Sequence, residues 1–128
     1  MAILLDTHAL LWWMNGDPRL SRKARSAMEK DGAEIYVSAV SAVELATKVR
    51  LGKLPEAAVL AHTFAASLAE QEFLHLPISL EHGRLAGLLP GTHRDPFDRI
   101  LAAQSLIEHM PLVTIDPALH RFGIEVVW

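Results

Sequence analysis

Short apolar runs alternate along this chain with longer stretches of helical periodicity, and turn residues separate them. The run AILL at residues 2–5 halts at Asp6, which predicts a buried strand. Residues 7–14 predict a helix, closed by the loop Asn15-Gly16-Asp17-Pro18. Ser21 is placed to cap a second helix that runs to about residue 30 and stops at Asp31-Gly32. Ile35, Tyr36 and Val37 make residues 34–37 a second strand. Residues 38–51 predict a helix that ends at Gly52, where glycine permits a left-handed stop. Beyond Pro55, residues 56–72 are rich in Ala and Leu and predict one long helix. Residues 73–76 form a third strand ahead of Pro77, and Ser79 caps a helix to about Leu89. After a loop at 90–94, Pro96 suits the first turn of a helix that reaches about His109. A fourth strand at 112–115, a short helical turn after Pro117 and a last strand at 124–127 complete the chain.

Nearly all-apolar strands that alternate with helices argue for a parallel sheet covered on both faces. The expected fold is therefore α/β, a three-layer α/β/α sandwich with a mostly parallel sheet of four to five strands. Residues 1–128 are expected to form a single domain, since no repeat, linker or low-complexity tract interrupts them. Right-handed crossovers put the C-terminal ends of parallel strands on one edge, where open α/β sheets bind ligands.

Composition narrows the function classes. At 51% hydrophobic and with positive mean hydropathy, the chain has ample apolar surface for a core and is not disordered. Its apolar runs are too short to span a bilayer, and the N-terminus shows no export signal. The absence of cysteine excludes a disulfide scaffold, a thiolate metal site and a cysteine nucleophile. A cytoplasmic location is expected. With a net charge of −3, any nucleic-acid partner must be met by a local basic patch.

Five acidic residues fall where the ligand edge of such a sheet is expected: Asp6, Glu44, Asp95, Asp98 and Asp116. Carboxylates gathered there repel one another unless a cation stands among them, which points to Mg²⁺ or Mn²⁺. Each also has a structural reading. Asp6 serves equally as the N-cap of the next helix, and Thr7 either caps it or holds a metal-bound water. In Ser41-Ala42-Val43-Glu44 the pattern S-x-x-E is that of a capping box. If Ser38 is the cap instead, Glu44 lies inside the helix on an apolar stretch and needs a partner. Asp95 and Asp98 flank Pro96-Phe97 near a helix N-terminus, where the expected split is a capping Asp95 and a metal-binding Asp98. Asp116 reads as a turn residue before Pro117, with Thr114 on the same face of the strand to orient a carboxylate or water. None of the seven histidines forms an H-x-x-H pair, and His8, His93 and His120 are the ones placed near the site. Neither a phosphate-binding glycine loop nor a G-x-S-x-G elbow is present.

LLDTHALLWW, VSAVSAVELATKVRLGKL, HRDPFDRILAAQS and LVTIDPALHRFGIEVVW, in this order and spacing, resemble a PIN domain of the VapC toxin type over nearly the whole chain. The resemblance implies a Mg²⁺- or Mn²⁺-dependent endoribonuclease, the toxin of a type II toxin–antitoxin pair. It also implies a VapB-like antitoxin that blocks the site, and a homodimer. It assigns Asp6, Glu44, Asp98 and Asp116 as the family acids. Asp95 belongs to a D-P-F-D form found in one branch, and Thr7 and Thr114 occupy positions that carry small hydroxyl residues. Two metal ions among the four carboxylates would then activate water and leave a 5′-phosphate product. Lys48, Arg50, Lys53, Arg94 and Arg99 are available for RNA phosphates, and each reads equally as solvated surface charge. Of Trp12 and Trp13, one is expected in the core and the other in an exposed patch suited to a dimer or an antitoxin helix.

Two other functions compete. A phosphatase of the haloacid dehalogenase type needs a second aspartate two residues beyond the first, where this chain has His8. A non-enzymatic interaction module would keep the fold without needing the acids. The RNA target is not encoded in any motif.

Overall fold

Five parallel strands in the order β3-β2-β1-β4-β5 form the centre of the computed structural model, which describes residues 1–128. The strands are β1 (Ala2–Leu5), β2 (Glu34–Ser38), β3 (Leu74–Leu76), β4 (Leu112–Val113) and β5 (Val126–Val127). The helices are α1 (Thr7–Met14), α2 (Arg22–Glu29), α3 (Ala39–Arg50), α4 (Ala58–His62), α5 (Phe64–Glu70), α6 (Leu80–Leu88) and α7 (Pro96–Glu108). The sheet is parallel throughout and takes the upper end of the expected strand number.

Alternation of side chains along β1 explains the two covered faces. Ile3 and Leu5 enter one core with Leu10, Leu11, Trp12, Leu45 and Phe73. Leu4 points the other way, into a second core with Val40, Leu101, Ala102, Leu112 and Leu119. Leu4 and Leu5 are fully buried, and each contributes about 1.5–3 kcal/mol by leaving water.

From β1 the chain builds outward through β2 to β3, then returns to place β4 on the other side of β1. The order of construction reverses between β1 and β4, so a crevice opens past their C-terminal ends. Asp6 directly follows β1 and Asp116 lies just past β4, one on each wall of that crevice.

The stretch expected as one helix over 56–72 is broken. A 3-10 turn at Pro55–Ala57 leads into α4, and α5 starts anew after Thr63. Thr63 sits at φ −123°, ψ 26°, and its hydroxyl donates to the carbonyl of Val59 at 2.8 Å. A threonine hydroxyl that bonds back to the preceding turn bends or ends a helix, and composition alone does not reveal this. The last strands are shorter than expected, since Ile115 is exposed and pairing of β4 stops at Val113. The amide of Thr114 still donates to Val127 O at 3.3 Å.

His82 is buried and unrelated to the crevice. Its backbone amide donates to Ser79 Oγ, its Nδ1 accepts the Ser79 amide, and its Nε2 lies 2.9 Å from Glu108 Oε2. It closes the N-terminus of α6 and ties that helix to α7.

Candidate active site

Asp6 is both cap and site residue. Its Oδ1 accepts the amide of His8 at 3.0 Å, which closes the first turn of α1. Its Oδ2 accepts the hydroxyl of Thr114 at 2.5 Å. Only 7% of Asp6 is exposed, and burial pushes its carboxyl above the usual carboxylate range, against the pull of these two hydrogen bonds. Thr114 also accepts the amide of Asp116 at 3.1 Å. One buried hydroxyl therefore holds Asp6 and Asp116, from opposite ends of the chain, in register.

The ambiguity at Glu44 is resolved by tertiary contacts. Ser38 caps α3, accepting the amide of Val40 at 3.0 Å. Ser41 is engaged by Thr7, whose hydroxyl donates to Ser41 Oγ at 2.9 Å. Glu44 is thus no member of a capping box. It sits in the second turn of α3, buried, with Lys48 Nζ 2.8 Å from its Oε2. Thr7 is 1% exposed and pins α1 to α3; it neither caps α1 nor lines the crevice.

Asp95 caps α7 through the amide of Phe97 at 2.9 Å and stays exposed at the rim. Asp98, in the first turn, points inward with Oδ2 2.9 Å from His93 Nε2. Burial raises the Asp98 carboxyl to about 6; the hydrogen bond from His93 lowers it, and the charges of Asp95, Asp6 and Asp116 raise it further. Asp116 caps the 3-10 turn Pro117–Phe122 by accepting the amide of Ala118 at 2.9 Å.

These acids converge. Asp6, Glu44, Asp95, Asp98 and Asp116 line one open cavity of about 480 Å³, together with His8, Lys48, Ile115 and Pro117. His120 lies outside it. Against five carboxylates Lys48 is the one fixed cation in the lining. Hard oxygen donors in that excess, two of them held against burial and mutual repulsion, fit a divalent cation. His93, expected near the site but not among its ligands, joins the cluster: donor atoms of His93, Asp98 and Asp116 all lie within 4.8 Å of one another. The only local signal was its place two residues ahead of Asp95.

The remaining cations divide. Arg94 lines a second cleft of about 390 Å³ beside the first, with Thr92, His93, Arg121 and Phe122. Arg50 and Lys53 line neither cavity. Arg99, expected among the phosphate contacts, is turned inward. Its guanidinium donates to the carbonyls of Ala86 and His93, each at 2.8 Å, and of Leu89. It is the clamp of the loop that carries His93. Neither tryptophan forms a bare patch. Trp12 is buried beneath Arg19, and the half-buried Trp13 donates Nε1–H to Gln71 Oε1 at 2.9 Å beneath Arg25.

Comparison with known proteins agrees with this geometry. The family model described as "PIN domain" matches residues 3–125. The chain is 31% identical to Ribonuclease VapC22 of Mycobacterium tuberculosis, over 98% of both chains. Among solved structures, VapBC2 from Rickettsia felis bound to a promoter DNA fragment aligns with TM-score 0.70 and 17% identity, over 98% of this chain and 97% of that one. FitAcB from Neisseria gonorrhoeae aligns with TM-score 0.67 and 20% identity, over 98% and 96%. At these identities the solved structures establish the fold. The dehalogenase-type alternative falls with the family match: an acid-lined crevice at the switch point of a five-stranded parallel sheet, matched over its length by the family model, makes this chain a PIN-domain protein of the VapC family.

Proposed function

We propose that the chain is a divalent-cation-dependent endoribonuclease, the toxin of a type II toxin–antitoxin pair. One observation carries this: Asp6, Glu44, Asp98 and Asp116, from four separate segments, meet in one open cavity at the C-terminal edge of the sheet. The name of the similar VapC22 supports RNA as the substrate. The likeness to the solved structures of VapBC2 and FitAcB supports a VapB-like antitoxin as partner. A homodimer, a single domain over residues 1–128 and action in the cytoplasm belong to the same proposal. No helix is long and apolar enough to cross a membrane.

When bound, Mg²⁺ or Mn²⁺ supplies Lewis-acid activation of water and neutralises charge on the scissile phosphate. Asp6, Glu44, Asp98 and Asp116 would hold the ion, with Asp95 at the rim, and their oxygens suffice for two. Thr114 fixes the spacing between Asp6 and Asp116 without touching substrate. Lys48 offsets Glu44 and presents its ammonium to an incoming phosphate. Arg94 and Arg121 in the adjoining cleft are free of ion pairs and suit the phosphates of flanking nucleotides.

The test is incubation of a labelled single-stranded RNA pool with the protein in Mg²⁺ or Mn²⁺, against an EDTA control. Cation-dependent fragments ending in 5′-phosphate are expected. A folded, antitoxin-free protein that neither cuts nor binds Mn²⁺ would be an interaction module instead.

Two further outcomes follow from the same geometry. Replacing Arg94 or Arg121 by Ala should weaken RNA binding in EDTA for all sequences alike. Each loss should flatten the dependence of log K on log[salt] by about 0.7 for a single strand. An unchanged slope in both variants would remove this cleft from the RNA path. Stability should also depend on pH. The folded state holds the Asp98 proton more tightly than the unfolded chain does, because its pKa is raised from 3.8 to about 6. Stability from that proton is complete below 3.8 and is lost as pH rises through about 6. Melting in EDTA should therefore weaken between about pH 4 and 6 and level off above, and saturating Mn²⁺ should flatten the decline.

A further inference from the structure

We propose that His93 is a metal ligand of this site, and that its imidazole tilts the site toward Mn²⁺ and related transition ions over Mg²⁺. This rests on the acid cluster being a divalent-cation site and adds the identity of a ligand that its carboxylates do not supply. The spacing fits. His93 Nε2 lies 2.9 Å from Asp98 Oδ2, and donor atoms of His93, Asp98 and Asp116 all fall within 4.8 Å of one another. Around a six-coordinate ion with bonds of about 2.1 Å, adjacent donors stand about 3.0 Å apart and opposite donors about 4.2 Å. His93 and Asp98 already stand at the adjacent-donor spacing, and the bound of 4.8 Å on all three is within about 0.6 Å of the opposite-donor spacing.

The ring is held in place from both ends. Its backbone carbonyl accepts from Arg99 Nη1 at 2.8 Å. The imidazole meets Phe122 edge-on, with centroids 5.9 Å apart. Nε2 is thereby aimed at the carboxylates, while Nδ1 has no protein partner and is free to carry the proton. An imidazole among carboxylates selects against Mg²⁺, which prefers oxygen donors and parts reluctantly with its water. The competing role is a plain hydrogen bond, in which Nε2–H orients Asp98 and the nitrogen never meets the ion.

Pulsed electron paramagnetic resonance of the full chain loaded with Mn²⁺ separates the two. Coupling to a directly bound nitrogen is expected, and it should vanish in His93→Gln while Mn²⁺ still binds. Calorimetric titration of His93→Ala should show Mn²⁺ affinity down at least tenfold and Mg²⁺ affinity down by a smaller factor. Circular dichroism of both variants checks the fold. Mn²⁺ bound without nitrogen coupling, coupling that survives in His93→Gln (His8 being the imidazole that lines the acid cavity), or equal losses for both ions overturns the proposal and leaves the acid site intact. If the unaltered protein binds neither ion, the proposal and the acid-site function fall together.

Discussion

Asp98→Asn will lower RNA cleavage by at least about 10²–10³-fold, the scale on which one lost charge-stabilising group acts, and will leave the protein folded. Asparagine keeps the shape of the side chain and its place in the first turn of α7. What it removes is a negative charge that burial and the nearby charges of Asp95, Asp6 and Asp116 all disfavour. The metal-free variant should therefore melt no lower than the unaltered protein at pH 7, despite losing a small favourable interaction with the helix dipole of about 0.3–1 kcal/mol. Activity and stability move in opposite directions, and a residue selected for packing would not behave so. Cleavage rates in Mn²⁺ and melting curves in EDTA read both halves. A well-folded variant that cuts at the full rate would strike Asp98 from the machinery. Asp6→Asn is a less clean probe, because Asp6 Oδ1 also caps α1 and Oδ2 accepts the hydroxyl of Thr114. Its loss of cleavage would come mixed with a lost cap.

Gathering acids at one sheet edge thus costs stability, and the fold offsets the cost with fixed local donors. Asp6, Asp95 and Asp116 each close a helical turn with one carboxylate oxygen. In Asp95 and Asp116 the second oxygen has no protein donor, while in Asp6 it accepts the hydroxyl of Thr114. This double use explains why a capping role for Asp6, Asp95 and Asp116 does not conflict with a place in the site.

The parts of the chain that were legible are those decided by neighbours in sequence. AILL followed by Asp6 predicts β1, its end and the start of α1 to the residue, because alternation and capping are local rules. Ser38 and Ser41 are equal candidates on local grounds. The choice between them lies in a contact across 34 residues, where Thr7 occupies Ser41. The break at Thr63 hides inside good helix composition. The clamp role of Arg99 and the contact of His93 with Asp98 were beyond reach for a related reason. The partners of Arg99 are backbone carbonyls, which any residue type supplies, so no pattern of side chains announces them. His93 joins the acids only because that clamp folds its loop over the crevice.

Arg99→Lys provides the sharpest separation between a clamp and a substrate contact. A planar guanidinium reaches the carbonyls of Ala86, Leu89 and His93 at once and lies over Phe122, 5.6 Å from its centroid. An ammonium is a point donor and cannot span the same three acceptors. Hydrogen bonds from a charged donor contribute about 1.5–3 kcal/mol each. Losing one or two of them should therefore lower stability by about 2–3 kcal/mol, allowing for partial solvation of the site. For a domain of this size the melting temperature should fall by roughly 3–5 °C per kcal/mol. Cleavage should drop as well, since the loop from Pro90 to Asp95 loses its anchor and with it the placement of His93. RNA binding should keep its salt slope, because no phosphate contact is removed. Were Arg99 a phosphate contact, the result would invert: lysine would preserve the charge, stability would hold, and the damage would be confined to weaker RNA binding at an unchanged salt slope. Denaturant unfolding together with RNA titrations at several salt concentrations distinguishes the two, and unchanged stability in Arg99→Lys would refute the clamp.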